Sequence, residues 1–178
     1  MMPSEGPALS LTEWVVLGLL AESPSHGFAV AKALSRVTPL GQVWTVPRPL
    51  VYRAIGRLEE QGLIAEAGEE PGDPGPRRMV YEVTARGRKA AAQWRGEPVR
   101  HLREVRSALL AKVLLRQRAG EPLAPLVSEQ RAVFAPLLER LSEQFGDAGG
   151  ERVVAAWRYE SSLAVARVLD HLEGLDKV

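Results

Sequence analysis

The sequence predicts a mainly α fold with one small β-hairpin, an α+β arrangement in two parts. Three observations carry this. Apolar residues recur at steps of three and four along most of the chain. The period changes to two only across residues 63–83. From Glu97-Pro98 onward the helical patterns become markedly longer than those before. A length of 178 residues suits a small domain carrying a second unit, and the change of character predicts domains at 1–96 and 97–178.

Each element has its own reason. Leu11–Ala21 is apolar nearly throughout, and Glu22-Ser-Pro-Ser-His-Gly interrupts it with turn chemistry. Ser25 is expected to cap a second helix, His26–Val37, with Phe28, Val30, Ala31 and Leu34 at helical spacing. Pro39, Gly41, Pro47 and Pro49 then predict a loop. A third helix is expected from about Pro49 to Gln61, stopped by Gly62, with Val51, Ile55 and Leu58 inward. Arg53 and Arg57, four apart, are neighbours on its other face. Leu63–Gly68 and Met79–Val83 read as strands, with Met79, Tyr81 and Val83 on one face. The stretch EEPGDPGPRR between them is expected to end both strands and turn the chain. Thr84 starts a short helix through about Trp94. Three helices followed by a hairpin is the order of a winged helix-turn-helix.

Three long helical patterns follow at about Val99–Arg118, Leu123–Phe145 and Glu151–Leu172. Their stripes are Val99, Leu102, Val105, Leu109 and Val113, then Leu123, Val127, Phe134, Leu138, Leu141 and Phe145, then Val153, Trp157, Ala164, Val168 and Leu172. Such narrow stripes are best covered by the same helices of a second chain, so this part reads as a homodimerisation domain. Pro136 is expected to kink or split the second pattern.

Composition narrows the function. Hydrophobic residues make up 46% and charged residues 25%, the balance of a globular protein rather than a disordered tail. With no cysteine, disulfides, thiolate metal sites and a cysteine nucleophile are excluded. The start MMPSEGPALSLTEW lacks signal-peptide character, and no apolar run has the length of a membrane span. A cytoplasmic protein without membrane contact is expected. Arginine outnumbers lysine 19 to 4, asparagine is absent and isoleucine occurs twice, which a GC-rich genome explains at least half of. No phosphate-cradling glycine loop, HExxH or G-x-S-x-G occurs. His26, His101 and His171 lie far apart with no second ligand at helical spacing. Neither an enzyme nor a metal or cofactor is therefore expected.

The formal net charge of +1 argues, taken alone, against a nucleic-acid binder. The charge is nevertheless sorted. Between Glu22 and Glu59 lie 36 residues with no acid and five bases: Lys32, Arg36, Arg48, Arg53 and Arg57. Residues 77–95 hold six bases and one acid, and residues 59–73 hold six acids and no base. The first basic segment covers the part of a helix-turn-helix that faces DNA. Arg53 and Arg57 supply donors for base edges, and Arg48 could serve either bases or phosphates. Arg77 and Arg78 stand at the base of the hairpin turn, where a wing reaches DNA. The alternative is a winged-helix protein-interaction module that never meets DNA. Such a module has no need to exclude carboxylates from two consecutive helices.

Motifs point the same way. Leu11-Thr-Glu-Trp-Val-Val-Leu-Gly-Leu-Leu with Ser25-His-Gly-Phe is followed by Val51-Tyr-Arg-Ala-Ile-Gly-Arg-Leu-Glu-Glu-Gln-Gly-Leu-Ile and by Arg78-Met-Val-Tyr-Glu-Val-Thr-Ala-Arg-Gly-Arg. Together they resemble the PadR family of bacterial transcriptional regulators over about residues 10–96. The resemblance implies a homodimeric winged-helix repressor, less often an activator, on a palindromic double-stranded operator. The third helix and wing would grip DNA, and in many relatives a small molecule releases it. By position, Tyr52 would lie near the phosphate backbone, and His26 and Gly27 would start the second helix where a phosphate meets its N-terminus. Thr45-Val-Pro-Arg-Pro departs from the small or hydroxyl residues usual there, and its two prolines remove two N–H donors. The DNA-contact set is thus His26, Lys32, Thr45, Arg48, Tyr52, Arg53, Arg57, Arg77 and Arg78. Trp94 and Trp157 are the candidates for an effector site, since aromatic walls suit planar ligands.

Overall fold

A computed structural model describes residues 7–72, 75–146 and 152–175. The chain is mainly helical with a small antiparallel sheet, and divides into two compact units, Met1–Arg95 and Gly96–Val178. Among the described residues no helix is long and apolar enough to cross a membrane.

In the first unit, α1 (Leu11–Glu22) starts with a capping box. The Glu13 backbone N–H donates to Ser10 Oγ at 3.3 Å, and the Ser10 N–H donates to the Glu13 carboxylate at 2.6 Å. Val15, Val16, Leu17, Leu19 and Leu20 are buried, so α1 is the central post of the unit. A two-residue strand, β1 (Ser25–His26), leads into α2 (Gly27–Ala33), and a further short helix, α3 (Pro39–Val43), follows. The expected helix His26–Val37 therefore ends early, and part of the expected loop is helical. Thr38 drives that change: its hydroxyl accepts the Gly41 N–H at 3.0 Å, and Pro39 suits the first turn.

Helix α4 (Arg48–Glu60) buries Val51, Ala54, Ile55 and Leu58. It ends in a Schellman motif: Gly62 takes φ +64°, its N–H donates to Glu59 O, and the Leu63 N–H donates to Leu58 O. Strands β2 (Ile64–Gly72) and β3 (Gly75–Val83) are antiparallel, and β1 pairs on the other edge of β3, giving the order β1-β3-β2. The strands thus run through the Pro/Gly-rich stretch expected to end them. Pro71 is tolerated because the register shifts between Glu70 and Gly72, where the ladder needs no donor. Val80 and Val83 are buried while Met79 and Tyr81 are half-buried. Helix α5 (Ala85–Gly96) completes the unit.

In the second unit the pattern expected as one helix at Val99–Arg118 is broken. A 3-10 turn (Leu102–Glu104) and a π turn (Val105–Leu109) precede α6 (Leu110–Arg118). Its stripe still faces inward. Helices α7 (Ala124–Gly146) and α8 (Arg152–Leu175) are long, and α7 continues through Pro136 rather than splitting there. The core joins Val105, Leu109 and Val113 to Leu126, Phe134, Leu169 and Leu172. Gln130 is fully buried and bridges the Val99 backbone, accepting its N–H at 2.7 Å and donating to its carbonyl at 2.8 Å. The expected α8 stripe separates: Leu172 is buried, but Val153, Trp157 and Val168 face solvent. The side chain of Phe145 lies outside the described residues.

Candidate nucleic-acid interface

Three segments of the first unit meet at one surface groove of about 360 Å³: the start of α2, the start of α4 and the wing strand β3. Its construction begins at His26. The imidazole Nδ1 accepts the Ala29 N–H at 3.0 Å, so His26 is the N-cap of α2 and its proton sits on Nε2, 4.0 Å from the Glu70 carboxylate. Pairing of Ser25 with Tyr81 and His26 with Val80 fixes the wing to that cap. Gly27 lets α4 approach: a Cβ there would lie 2.7 Å from the Tyr52 ring.

Two cations stand over aromatic rings in this groove. The Arg48 guanidinium lies 5.2 Å from the Phe28 centroid and 5.6 Å from that of Tyr52, and its terminal nitrogen is 3.5 Å from the Tyr52 hydroxyl. Arg78 lies 4.7 Å from the Phe28 centroid. Phe28 and Tyr52 remain 40% and 44% exposed. A ring face holds a guanidinium in place without cancelling its charge. Neither Arg48 nor Arg78 has a carboxylate partner among the described residues. Burial pushes the Tyr81 phenol above its ordinary pKa, with Glu59, Glu66 and Tyr52 acting the same way, so it stays a hydrogen-bond donor.

The other expected contacts are placed differently. Arg57 turns back to α1, where its Nε is 3.3 Å from the buried Glu13 carboxylate. Arg77 pairs with Glu69 at 2.7 Å. Arg53 and Lys32 are exposed with no ion-pair partner among the described residues. Thr45 donates its hydroxyl to Gly41 O at 2.6 Å. The α4 N-terminus offers little to an anion: Pro49 has no N–H, and those of Leu50 and Val51 already bond Pro47 O at 2.9 and 3.3 Å. Side chains, not the first turn, carry the positive charge there. Of the nine expected contacts, His26, Arg48, Tyr52, Arg77 and Arg78 line the groove, and Lys32, Thr45, Arg53 and Arg57 do not. Helical spacing places Phe28 on the inward face of the second helix, yet it is the ring that Arg48 and Arg78 share.

Residues 16–93 match the sequence model of the transcriptional regulator PadR-like family. The first unit is a PadR-like domain. Within this PadR-like domain the second half of the motif is structural. The Thr84 hydroxyl lies 2.9 Å from Gly62 O and 3.2 Å from Leu63 O, and accepts the Gly87 N–H at 3.0 Å. A Cβ at Gly87 would stand 1.9 Å from Leu63 O, so only glycine lets α5 start there. Solved structures similar to this chain include Bacillus subtilis PadR in complex with operator DNA, at 17% identity and TM-score 0.46, covering 90% of this chain and 97% of that one. Another is smu.1604c from Streptococcus mutans UA159, at 19% and 0.43, covering 89% and 96%. A third is the PadR-like transcriptional regulator BC1756 from Bacillus cereus, at 18% and 0.40, covering 98% and 99%. No curated protein matches the chain.

The two effector candidates differ. Trp94, in the PadR-like domain, is 8% exposed and stacked on Trp14 with centroids 5.4 Å apart. One face of its indole is thus taken by Trp14, and burial leaves little of the other to a planar ligand. Trp157, in the second unit, is 74% exposed. No group of three or more His, Asp or Glu among the described residues could hold a metal ion.

Proposed function

We propose that this chain is a sequence-specific DNA-binding regulator, a repressor acting as a homodimer on a two-fold symmetric operator. The observation that carries this is the pair Arg48 and Arg78, held on Phe28 and Tyr52 at the junction of α2, α4 and the wing. Guanidiniums kept in position with their charge intact suit phosphate oxygens of a duplex. Arg53, exposed on α4 without an acid partner among the described residues, is the side chain proposed to read a guanine edge, and Lys32 adds a backbone contact. Arg57 and Arg77 take part once their ion pairs with Glu13 and Glu69 open. The match of residues 16–93 to a family of transcriptional regulators supports DNA as the class of partner. Its DNA target places the protein's work in the cytoplasm.

The dimer rests on α8. Val153, Trp157, Val168 and Leu175 are exposed, with Ala164 between them, and at 3.6 residues per turn they fall within an arc of about 60°. Leu169 and Leu172 face the unit's own core. A continuous exposed apolar stripe on a long helix is satisfied by the same stripe of a second copy. A small molecule that releases DNA completes the proposal.

The test is selection from a pool of random duplexes, with the oligomeric state measured by sedimentation. Enrichment of one two-fold symmetric sequence, bound by a dimer, is expected. A monomer, or a pool that stays random after several rounds, would refute the proposal.

A further inference from the structure

Helix α4 has a face that neither the groove nor the core uses. At about 100° per residue, Leu50, Arg53, Gly56 and Arg57 fall within an arc of about 120° centred on Arg53. Val51, Ala54, Ile55 and Leu58 take the other side and are buried. Leu50 is 44% exposed, Arg53 and Arg57 are exposed, and Gly56 is half-buried. Pro49 begins this face and Glu60 ends it.

Two residues here make poor sense if water is the only neighbour. The first is Gly56, since glycine inside a helix is less stable than alanine. Other glycines of the unit have a reason: Gly27, Gly41 and Gly87 face atoms that a Cβ would strike, and Gly62 takes φ +64°. At Gly56 a Cβ would meet no heavy atom within 4 Å, and φ is not positive. The fold gains nothing from the missing methyl, so the space it leaves serves something outside the chain. The second is Leu50, an apolar side chain whose long neighbours on this face are Arg53 and Arg57. It lies in the stretch 23–58, which holds five bases and no acid and so suits a polyanion. Among base edges in the major groove of such a polyanion, the apolar group is the 5-methyl of thymine. Leu50 and Arg53 are three apart, which sets their Cβ atoms about 5–6 Å from each other. That span matches one or two base-pair steps of about 3.4 Å.

We propose that α4 reads a thymine within two steps of the guanine contacted by Arg53. Leu50 packs on its 5-methyl, and Gly56 is the notch that lets the helix lie close enough for Arg53 to reach. Leu50 is thus a specificity-determining residue and Gly56 a positioning one. This deepens the regulator reading and rests on it.

The test uses the full chain and the duplex selected from the random pool. Each thymine is replaced in turn by deoxyuridine, which removes the methyl and keeps every hydrogen bond. At one thymine per half-site, within two steps of the guanine that Arg53→Ala no longer distinguishes, affinity should fall about three- to fivefold. Leu50→Ala should lose about as much on the unmodified duplex and no longer distinguish thymine from uracil there. Gly56→Ala should melt about 2–4 °C higher than wild type. It should nevertheless bind the selected duplex about tenfold more weakly, with affinity for random duplex unchanged and little further loss on adding Arg53→Ala. A glycine with a merely structural role would not lose affinity while gaining stability. A half-site with no thymine there, insensitivity of wild type to uracil, or discrimination that persists in Leu50→Ala would overturn the proposal. So would Gly56→Ala binding as tightly as wild type. If wild type selects no duplex at all, the regulator reading falls and this one with it; a selected duplex without these effects refutes this one alone.

Discussion

Both units set arginines beside aromatic rings, but they hold them under different constraints. In the first unit four arginines each have a structural neighbour: Arg48 and Arg78 rest over Phe28 and Tyr52, and Arg57 and Arg77 are paired with Glu13 and Glu69. In the second, four arginines line one concavity, with no carboxylate lining it among the described residues. A ring leaves the cation's charge whole, whereas a carboxylate offsets it and repels phosphate as well. The first surface is thus tuned to admit a polyanion through selected arginines while its acids oppose indiscriminate contact. The second gathers its arginines above apolar side chains, with no carboxylate among the described residues lining the same concavity.

The strongest way to break this contrast is to remove the ring-held cations. Arg48→Ala/Arg78→Ala should lower operator affinity by about 3 kcal/mol and reduce the salt slope by about 2, measured by anisotropy across salt concentrations. Undiminished affinity would mean that the ion-paired arginines carry the contact.

Burial of a cation in the second unit predicts the next effect. Burial pushes the Lys112 ammonium from 10.5 down to about 8, opposed by Glu97 and Glu104, while its Nζ donates to Glu97 O at 2.6 Å. The unfolded chain then holds this proton to higher pH than the folded one, so stability rises with pH between the two values. From about pH 7.5 to 9.5 the gain should be about 2 kcal/mol by urea unfolding. Lys112→Met should flatten it; an unchanged slope would exclude Lys112 as the source.

Arg53→Ala should cost about 1–2 kcal/mol on the operator and relax specificity at one base pair, with Arg57→Ala costing less because its pair with Glu13 must open first. The reverse order would exchange their roles. The smallest effect sharpens the role of the wing acids. Glu69→Gln frees Arg77 and removes a repulsion, so affinity for duplexes of any sequence should rise by under about 1 kcal/mol, in gel shift at low salt.

The sequence displayed what is local and periodic. Period and Gly62 placed α1 and α4 within a residue or two, and charge sorting drew attention to Arg48 and Arg78. What it hid depends on distant partners. Strand β1 is two residues long and exists only because Tyr81 and Val80 lie alongside. Extension of the wing past Pro71 depends on a register shift between two strands. Helical spacing assigned Phe28 to the core, but Val30 is the side chain α2 buries, and Phe28, two positions earlier and about 200° around the helix, faces outward. Pairing of Arg57 with Glu13 spans two helices and leaves no trace in either segment. Likewise, the α8 stripe reads as one apolar face, yet Leu172 packs inward and Trp157 does not.

The central claim is that the ring-held arginines of the first unit meet DNA. Anisotropy titration of a labelled duplex from upstream of the protein's own gene, with wild type and Arg48→Ala/Arg78→Ala at two salt concentrations, tests it most directly. Tight wild-type binding that weakens with salt, and about a hundredfold loss in the double variant, is expected. Binding of both proteins with equal affinity and equal salt dependence would contradict it.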